Sequence, residues 1–339
     1  MLAPNQLPFV LAGMGLMTLQ PLLVAMSQVD GKVEYSAVSS TLATETLKIL
    51  ISMGFLFTGG GDTPGFDMRQ CLEFSVPAAI YFVNNNLVFL ILDHVNPTTF
   101  QLLSQLKTVF TGLLFRLFLG KKLTAYQYIA IWQLAAGTAC SQIPLNQLDP
   151  SPSVTTNLGV ILSVVSCILS AFGGIYSEKL LKKGNKGADS IHWQNIQLYG
   201  WGIFFNFLGM HVEPLFHEVA RGQSLFQGYN KWAYVVIVNN ALNGLAISAI
   251  LKFADNIARV YAHAAAMLLT MTLSIFLFGQ DPTPQLLIAI AVVAASAVQY
   301  NLKLEDVYSV NQAPAYAMAP KEVKAMDVEV GENSQKVKK

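Results

Sequence analysis

Lys107 is the residue from which a chemistry can be read first. It lies in a long apolar stretch, with no acidic residue three or four positions away. An ammonium at that depth of a membrane costs at least about 2.5–3.5 kcal/mol on insertion scales, so it needs an anion. Two sources are open: the carboxylate of Glu45 on another helix, or a bound phosphate. Glu45 and Lys48 are spaced i, i+3 and share one helix face. They serve either as an internal ion pair that fixes packing or as a charged pair beside a pathway.

Amides and aromatic rings accompany these charges. Tyr81 is followed by Asn84, Asn85 and Asn86 within one apolar helix, and Tyr81 and Asn85 stand one turn apart. Three consecutive amides in lipid would leave donors and acceptors unpaired, so at least two must face protein or water. They suit helix–helix hydrogen bonds or, with the Tyr81 plate, the edge of a uracil or cytosine ring. Asn195 and Tyr199 repeat the i, i+4 theme, and Asn239, Asn240 and Asn243 precede Gly244. Arg259 opens another apolar run that also holds His263. Arg259 either snorkels to the membrane face or supplies a second positive charge to a diphosphate.

Templates for bond-breaking chemistry are missing. The chain has no P-loop, no nucleophile elbow and no paired acids within a span. Its three cysteines, Cys71, Cys140 and Cys167, are scattered without metal-ligand or disulfide spacing. The expectation is a protein that is not an enzyme and carries no cofactor and no metal. Cations and amides distributed over several helices suit binding and moving a polar anion.

The elements that must position these groups follow from composition. Of 339 residues, 53% are hydrophobic and 12% are charged, against about 25% charged in a soluble domain. Twelve of the 41 charged residues lie in 301–339, which leaves 29 for the first 300. A soluble fold that poor in charge could not cover its surface. Ten apolar stretches of about the 20 residues that a bilayer requires are read at 8–26, 36–57, 72–92, 97–119, 124–142, 157–181, 193–215, 232–253, 257–278 and 284–302. The first lacks the basic n-region and cleavage site of a signal peptide and is taken as a mature helix. The fold class expected is an all-α polytopic membrane protein.

Basic residues set its orientation. The connections after spans two, four, six and eight carry Arg69, Arg116, Lys121, Lys122, Lys179, Lys182, Lys183, Lys186, Lys252 and Arg259. The opposite set carries Lys32, Arg221 and Lys231. By the positive-inside rule the first set is cytoplasmic, and an even number of spans puts both termini there. Residues 303–339, rich in Lys, Glu and Asp, read as a disordered cytoplasmic tail. Leu92-Asp93-His94-Val95 echoes Ala254-Asp255-Asn256-Ile257, which pairs span four with span nine. A 5+5 duplication with an odd number of helices per half must invert the second half, which is a transporter signature. The halves fall at about 1–145 and 154–302, within a transporter domain of 1–302. A net charge of +1 calls for no nucleic-acid partner; membrane lipid is the expected surroundings.

Several strings, in order, resemble the nucleotide-sugar transporters. Ser75-Val76-Pro77-Ala78-Ala79-Ile80-Tyr81-Phe82-Val83-Asn84-Asn85-Asn86, then Phe100-Gln101 and Gln105-Leu106-Lys107, are similar to the third and fourth helices of the branch that carries UDP-galactose, UDP-N-acetylglucosamine and CMP-sialic acid. Gly173-Gly174-Ile175-Tyr176-Ser177-Glu178-Lys179 resembles the sixth helix end, and Trp193-Gln194-Asn195-Ile196-Gln197-Leu198-Tyr199 the seventh helix start. Lys252-Phe253-Ala254-Asp255-Asn256-Ile257 resembles the loop between helices eight and nine, and Thr44-Glu45-Thr46-Leu47-Lys48 is similar as well. The likeness covers about residues 8–302.

The resemblance implies an antiporter of the Golgi or ER membrane that imports a nucleotide sugar and exports the nucleoside monophosphate. It implies that Tyr81, Asn84 and Asn85 contact the nucleoside, that Lys107 binds phosphate, and that Asn195 and Tyr199 line the cavity. Glu45 and Lys48 would be a charged pair beside it, with Lys48 and Arg259 helping to attract phosphate. Arg259 stands where many members have lysine, Asn84 where glutamine is usual, and Leu103-Ser104 in place of a Thr-Tyr pair. Ala246 and Ile247 replace more polar residues of the CMP-sialic acid branch. Thr99-Phe100-Gln101 and the stretch from Val238 to Leu245 look more like the UDP-sugar members. The favoured cargo is therefore a UDP-sugar, with CMP-sialic acid second and another phosphorylated metabolite third.

Overall fold

A computed structural model describes residues 6–29, 33–35, 37–58, 67–92, 94–95, 100, 103–120, 123–141, 157–183, 190–212, 226–278 and 284–301. Among these residues ten α-helices follow one another: α1 Leu7–Ser27, α2 Ala37–Thr58, α3 Met68–Leu92, α4 Leu106–Leu119, α5 Ala125–Ser141, α6 Asn157–Lys183, α7 Ile191–Val212, α8 Lys231–Phe253, α9 Asn256–Phe278 and α10 Pro284–Asn301. Each falls on one apolar stretch, α4 covering only the C-terminal part of its own. A first compact unit, Met1–Tyr300, contains the bundle. The expected tail at 303–339 and the link between the expected halves lie outside the described residues.

Six helices, α1, α2, α6, α8, α9 and α10, are long and apolar enough to cross a membrane. The other four differ for identifiable reasons. α4 and α5 have 14 and 17 residues. α3 and α7 are long enough, but polar residues such as Asn84, Asn85, Gln194 and Asn195 dilute their hydropathy. The polarity of those two helices is tolerable where protein or a cavity takes up their hydrogen bonds.

The fourth element departs from expectation. A continuous helix over 97–119 would put Lys107 near its middle, yet α4 begins at Leu106. Leu103 and Ser104 are helical and Gln105 sits in a turn. The Thr108 N–H donates to the Gln105 carbonyl at 3.0 Å, an i to i+3 bond that tightens the start of the helix. Lys107 therefore stands in the first turn of α4. At the other end Gly120, with φ of 65°, closes the helix in a left-handed conformation.

Packing runs in matched pairs. α1 lies against α8 and α9, α6 against α3 and α4, α2 against α7 and α8, and α3 against α7. Leu134 of α5 packs with Val260, Ala264 and Leu268 of α9 and Leu286, Ala289 and Val293 of α10. Phe74 and Ala78 of α3 meet Leu180 and Leu181 of α6, Leu198 and Tyr199 of α7 and Leu251 of α8. Large apolar side chains such as Phe57, Leu117, Phe276 and Leu287 are exposed on the outside, which lipid covers at no cost.

Candidate functional site

Two adjoining cavities occupy the interior, and Arg259 and Ile247 line both. The larger, of about 260 Å³, is bounded by α2, α3, α6, α7 and α8. Glu45, Lys48, Tyr81, Asn85 and Tyr199 line it. The smaller, of about 170 Å³, lies among α1, α4, α8 and α9 and holds Lys107 and His263. Sequence reasoning assembled most of this set, and the bundle brings it together.

Tyr81 reaches across to α6, its hydroxyl 3.3 Å from Ser177 Oγ. Gly173 makes room for the ring: a Cβ there would lie 3.1 Å from Tyr81 Cε1. Asn85, one turn on, lines the same cavity. Asn84 does not. It accepts a hydrogen bond from Ser166 Oγ at 2.8 Å and borders neither cavity. Consecutive helical residues point about 100° apart, and at this point of α3 the direction of Asn84 meets α6 while that of Asn85 meets the cavity. The side chain of Asn86 lies outside the described residues.

The charged pair is closed on itself. Lys48 Nζ donates to Glu45 Oε1 and sits 4.1 Å from the centroid of the Tyr199 ring, within cation–π range. Tyr199 is held by Ser248 Oγ at 2.8 Å and by donating to the Gly244 carbonyl at 3.1 Å. Two glycines give the pair its space. A Cβ on Gly244 would fall 2.7 Å from Lys48 Cδ, and one on Gly202 would fall 3.0 Å from Glu45 Oε2. Asn195, 1% exposed, is buried a turn away from Tyr199, with no partner for its Oδ1 among the described residues. It lines neither cavity.

Lys107 and Arg259 are built differently. Lys107 has no ion pair and no side-chain hydrogen bond among the described residues. Arg259 Nε donates to Asn256 Oδ1 at 2.7 Å, while its buried Nη2 has no partner among the described residues. Gly174 lets the guanidinium lie against α6, since a Cβ there would sit 3.0 Å from Nη2. A buried charge left without a counterion is costly, and neither cation makes an ion pair among the described residues.

Glu178 is the residue to which sequence reasoning gave no role. It is 0% exposed. Its Oε1 accepts from Lys182 Nζ at 2.7 Å and its Oε2 from the Asn256 N–H at 2.8 Å. Lys182 also donates to the Ala254 carbonyl. The carboxylate thus caps the N-terminus of α9, where helix N–H groups and the helix dipole favour a negative charge. It thereby fixes the turn from which Arg259 projects. The only signal available in the sequence was an acid one helical turn before a lysine. Among the described residues no group of three His, Cys, Asp or Glu could hold a metal.

With that geometry in view, comparison with known proteins gives the class. A family profile described as "Nucleotide-sugar transporter" matches residues 9–301, and the chain belongs to that family of membrane transporters, which are not enzymes. It is 37% identical over 292 residues to "CMP-sialic acid transporter 1" of Arabidopsis thaliana, covering 83% of this chain and 85% of that one. It is 36% identical to "CMP-sialic acid transporter 1" of Oryza sativa subsp. japonica, over 87% of this chain and 93% of that one. It is 30% identical to "Probable UDP-sugar transporter protein SLC35A4" of Mus musculus, over 82% of this chain and 88% of that one. One solved crystal structure superposes with a TM-score of 0.68 at 13% identity, covering 89% of this chain and 98% of that one, and shares the fold.

Proposed function

We propose that this chain is an antiporter that imports a pyrimidine nucleotide sugar into the Golgi lumen and returns the nucleoside monophosphate. The observation that carries the reading is the charge left open in the cavity. Glu45 cancels Lys48, whereas Lys107 and Arg259 face the smaller cavity, whose lining among the described residues includes no carboxylate. Two positive charges match a dianion. A diphosphate-linked sugar is a dianion, and a nucleoside monophosphate carries about −1.5 to −2 near pH 7. In this reading Lys107 and Arg259 hold the phosphates, and Tyr81 and Asn85 hold the base in the larger cavity. Tyr199 positions Lys48, while Asn84 and Asn195 support the α3 and α7 walls.

Exchange follows from the same electrostatics. An empty site would carry two bare cations through an occluded state, while an occupied one is neutral. The matched helix pairs support alternating access through inverted halves. Adding five to each helix number turns α1–α8 into α6–α3, α1–α9 into α6–α4, and α2–α8 into α7–α3, and it maps α2–α7 onto itself. Loop charges favour cytoplasmic termini, and Golgi or ER membranes are where such cargo is used.

UDP-sugars remain the first reading, on Thr99-Phe100-Gln101 and the Val238–Leu245 stretch. CMP-sialic acid is the second, favoured by the names of the 36–37% identical relatives. Purified protein in liposomes loaded with UMP or CMP decides between them. Uptake of labelled UDP-galactose or UDP-N-acetylglucosamine driven by internal UMP supports the first, and uptake of CMP-sialic acid driven by CMP the second. Uptake that proceeds equally without internal nucleotide contradicts antiport.

A further inference from the structure

The smaller cavity contributes cations to the nucleotide reading, but it also carries an amide edge with no assigned task. Asn239 and Asn243 lie one turn apart on the α8 face that meets α1. Asn239 Nδ2 is spent on the Leu16 carbonyl at 3.2 Å. Asn243 Nδ2 donates instead to Gln20 Oε1 at 3.2 Å. This leaves Asn243 Oδ1 buried without a partner among the described residues, on a side chain that is 7% exposed and lines the cavity. Gln20 accepts through Oε1, and its Nε2 makes no hydrogen bond among the described residues. The result is an open acceptor beside an open donor, next to Lys107. Opposite them His263 is exposed to the cavity, although its neighbours Ala262 and Ala264 are buried.

Leaving a buried amide carbonyl unpaired costs about 1–3 kcal/mol, so the edge fits a ligand better than a packing role. A sugar hydroxyl both donates and accepts, and adjacent hydroxyls on one ring match a donor–acceptor pair. The cavity lies across Arg259 from the aromatic wall that suits a base. We propose that Gln20 and Asn243 form the sugar subsite, where they hydrogen-bond ring hydroxyls of the cargo while its phosphates rest on Lys107 and Arg259. This rests on the nucleotide-sugar reading and adds a division of labour within it: one cavity for the base, the other for the sugar.

Two exchanges in the same liposomes separate the parts. UMP against UMP reads the nucleotide half alone, and UDP-galactose against UMP reads the sugar as well, with CMP and CMP-sialic acid run in parallel. Asn243→Leu and, on the other helix, Gln20→Met keep side-chain size and remove the amide edge. The KM for the nucleotide sugar should rise about tenfold, the scale expected when hydrogen bonds of this kind are lost, while nucleoside monophosphate exchange stays within about twofold. Equal losses in both exchanges, or no loss in either, overturn the subsite. A wild-type protein that exchanges neither pair overturns the transporter reading itself, so the two failures are distinct.

Discussion

Lys48 and Lys107 are both lysines inside the bundle, yet their surroundings are opposite. Lys48 has a carboxylate from its own helix and the face of Tyr199, with two glycines that keep space for the pair. Lys107 stands in the first turn of α4 beside a second cation, and no carboxylate pairs with it among the described residues. In the proposed function the difference separates charge that builds the wall from charge that waits for a cargo. A closed pair needs no ligand for its charge to be satisfied. An open cation is satisfied only when an anion is bound.

The contrast can be broken by substitution, and the largest effect is expected at the open cations. Lys107→Ala should lower nucleotide exchange by about 100-fold or more, since removing one partner of a buried charge contact costs about 2–5 kcal/mol. Initial exchange rates in liposomes, with equal protein incorporated, check this. Retained transport with normal KM would move the phosphate site elsewhere.

The next effect belongs to the closed pair and should appear in stability. Glu45→Ala strands Lys48 and should destabilise the protein by about 3–5 kcal/mol, while the double variant Glu45→Ala/Lys48→Met should recover much of that loss. Thermal unfolding of the two variants in detergent reads the difference. A double variant as unstable as the single would mean that the pair is not the source.

Arg259→Lys comes third. It keeps the charge but loses the planar fork that reaches Asn256, and should raise KM roughly tenfold with modest change in maximal rate. A pH series gives a smaller effect. A monophosphate loses its second charge as pH falls through about 6, so affinity for UMP should drop there severalfold. The nucleotide sugar, with no group titrating in that range, should hold its own affinity. Parallel losses would mean that a protein group titrates instead.

These contrasts were only partly legible in the sequence. Hydropathy located ten helices because lipid imposes length and apolarity on each, and their ends were found to within a few residues except at α4. There a turn at Gln105 interrupts an apolar run, and hydropathy is blind to a turn. The Glu45–Lys48 pair was visible because i, i+3 spacing alone brings the two together. The sorting of Asn84 toward Ser166 and Asn85 toward the cavity required knowing where α6 lies. Glu178 was hidden for a related reason: beside Lys182 it binds the backbone of Asn256, 78 residues away, and no residue type signals a backbone contact.

The central claim is that two uncompensated cations hold the cavity ready for a phosphate-bearing nucleotide. Its most direct test is thermal stabilisation of the purified wild-type protein by UMP and CMP, compared with uridine and cytidine at the same concentrations. Binding to the folded state alone raises apparent stability by mass action. One of the two monophosphates should stabilise the protein while its nucleoside does not. Equal stabilisation by nucleoside and monophosphate would contradict the claim.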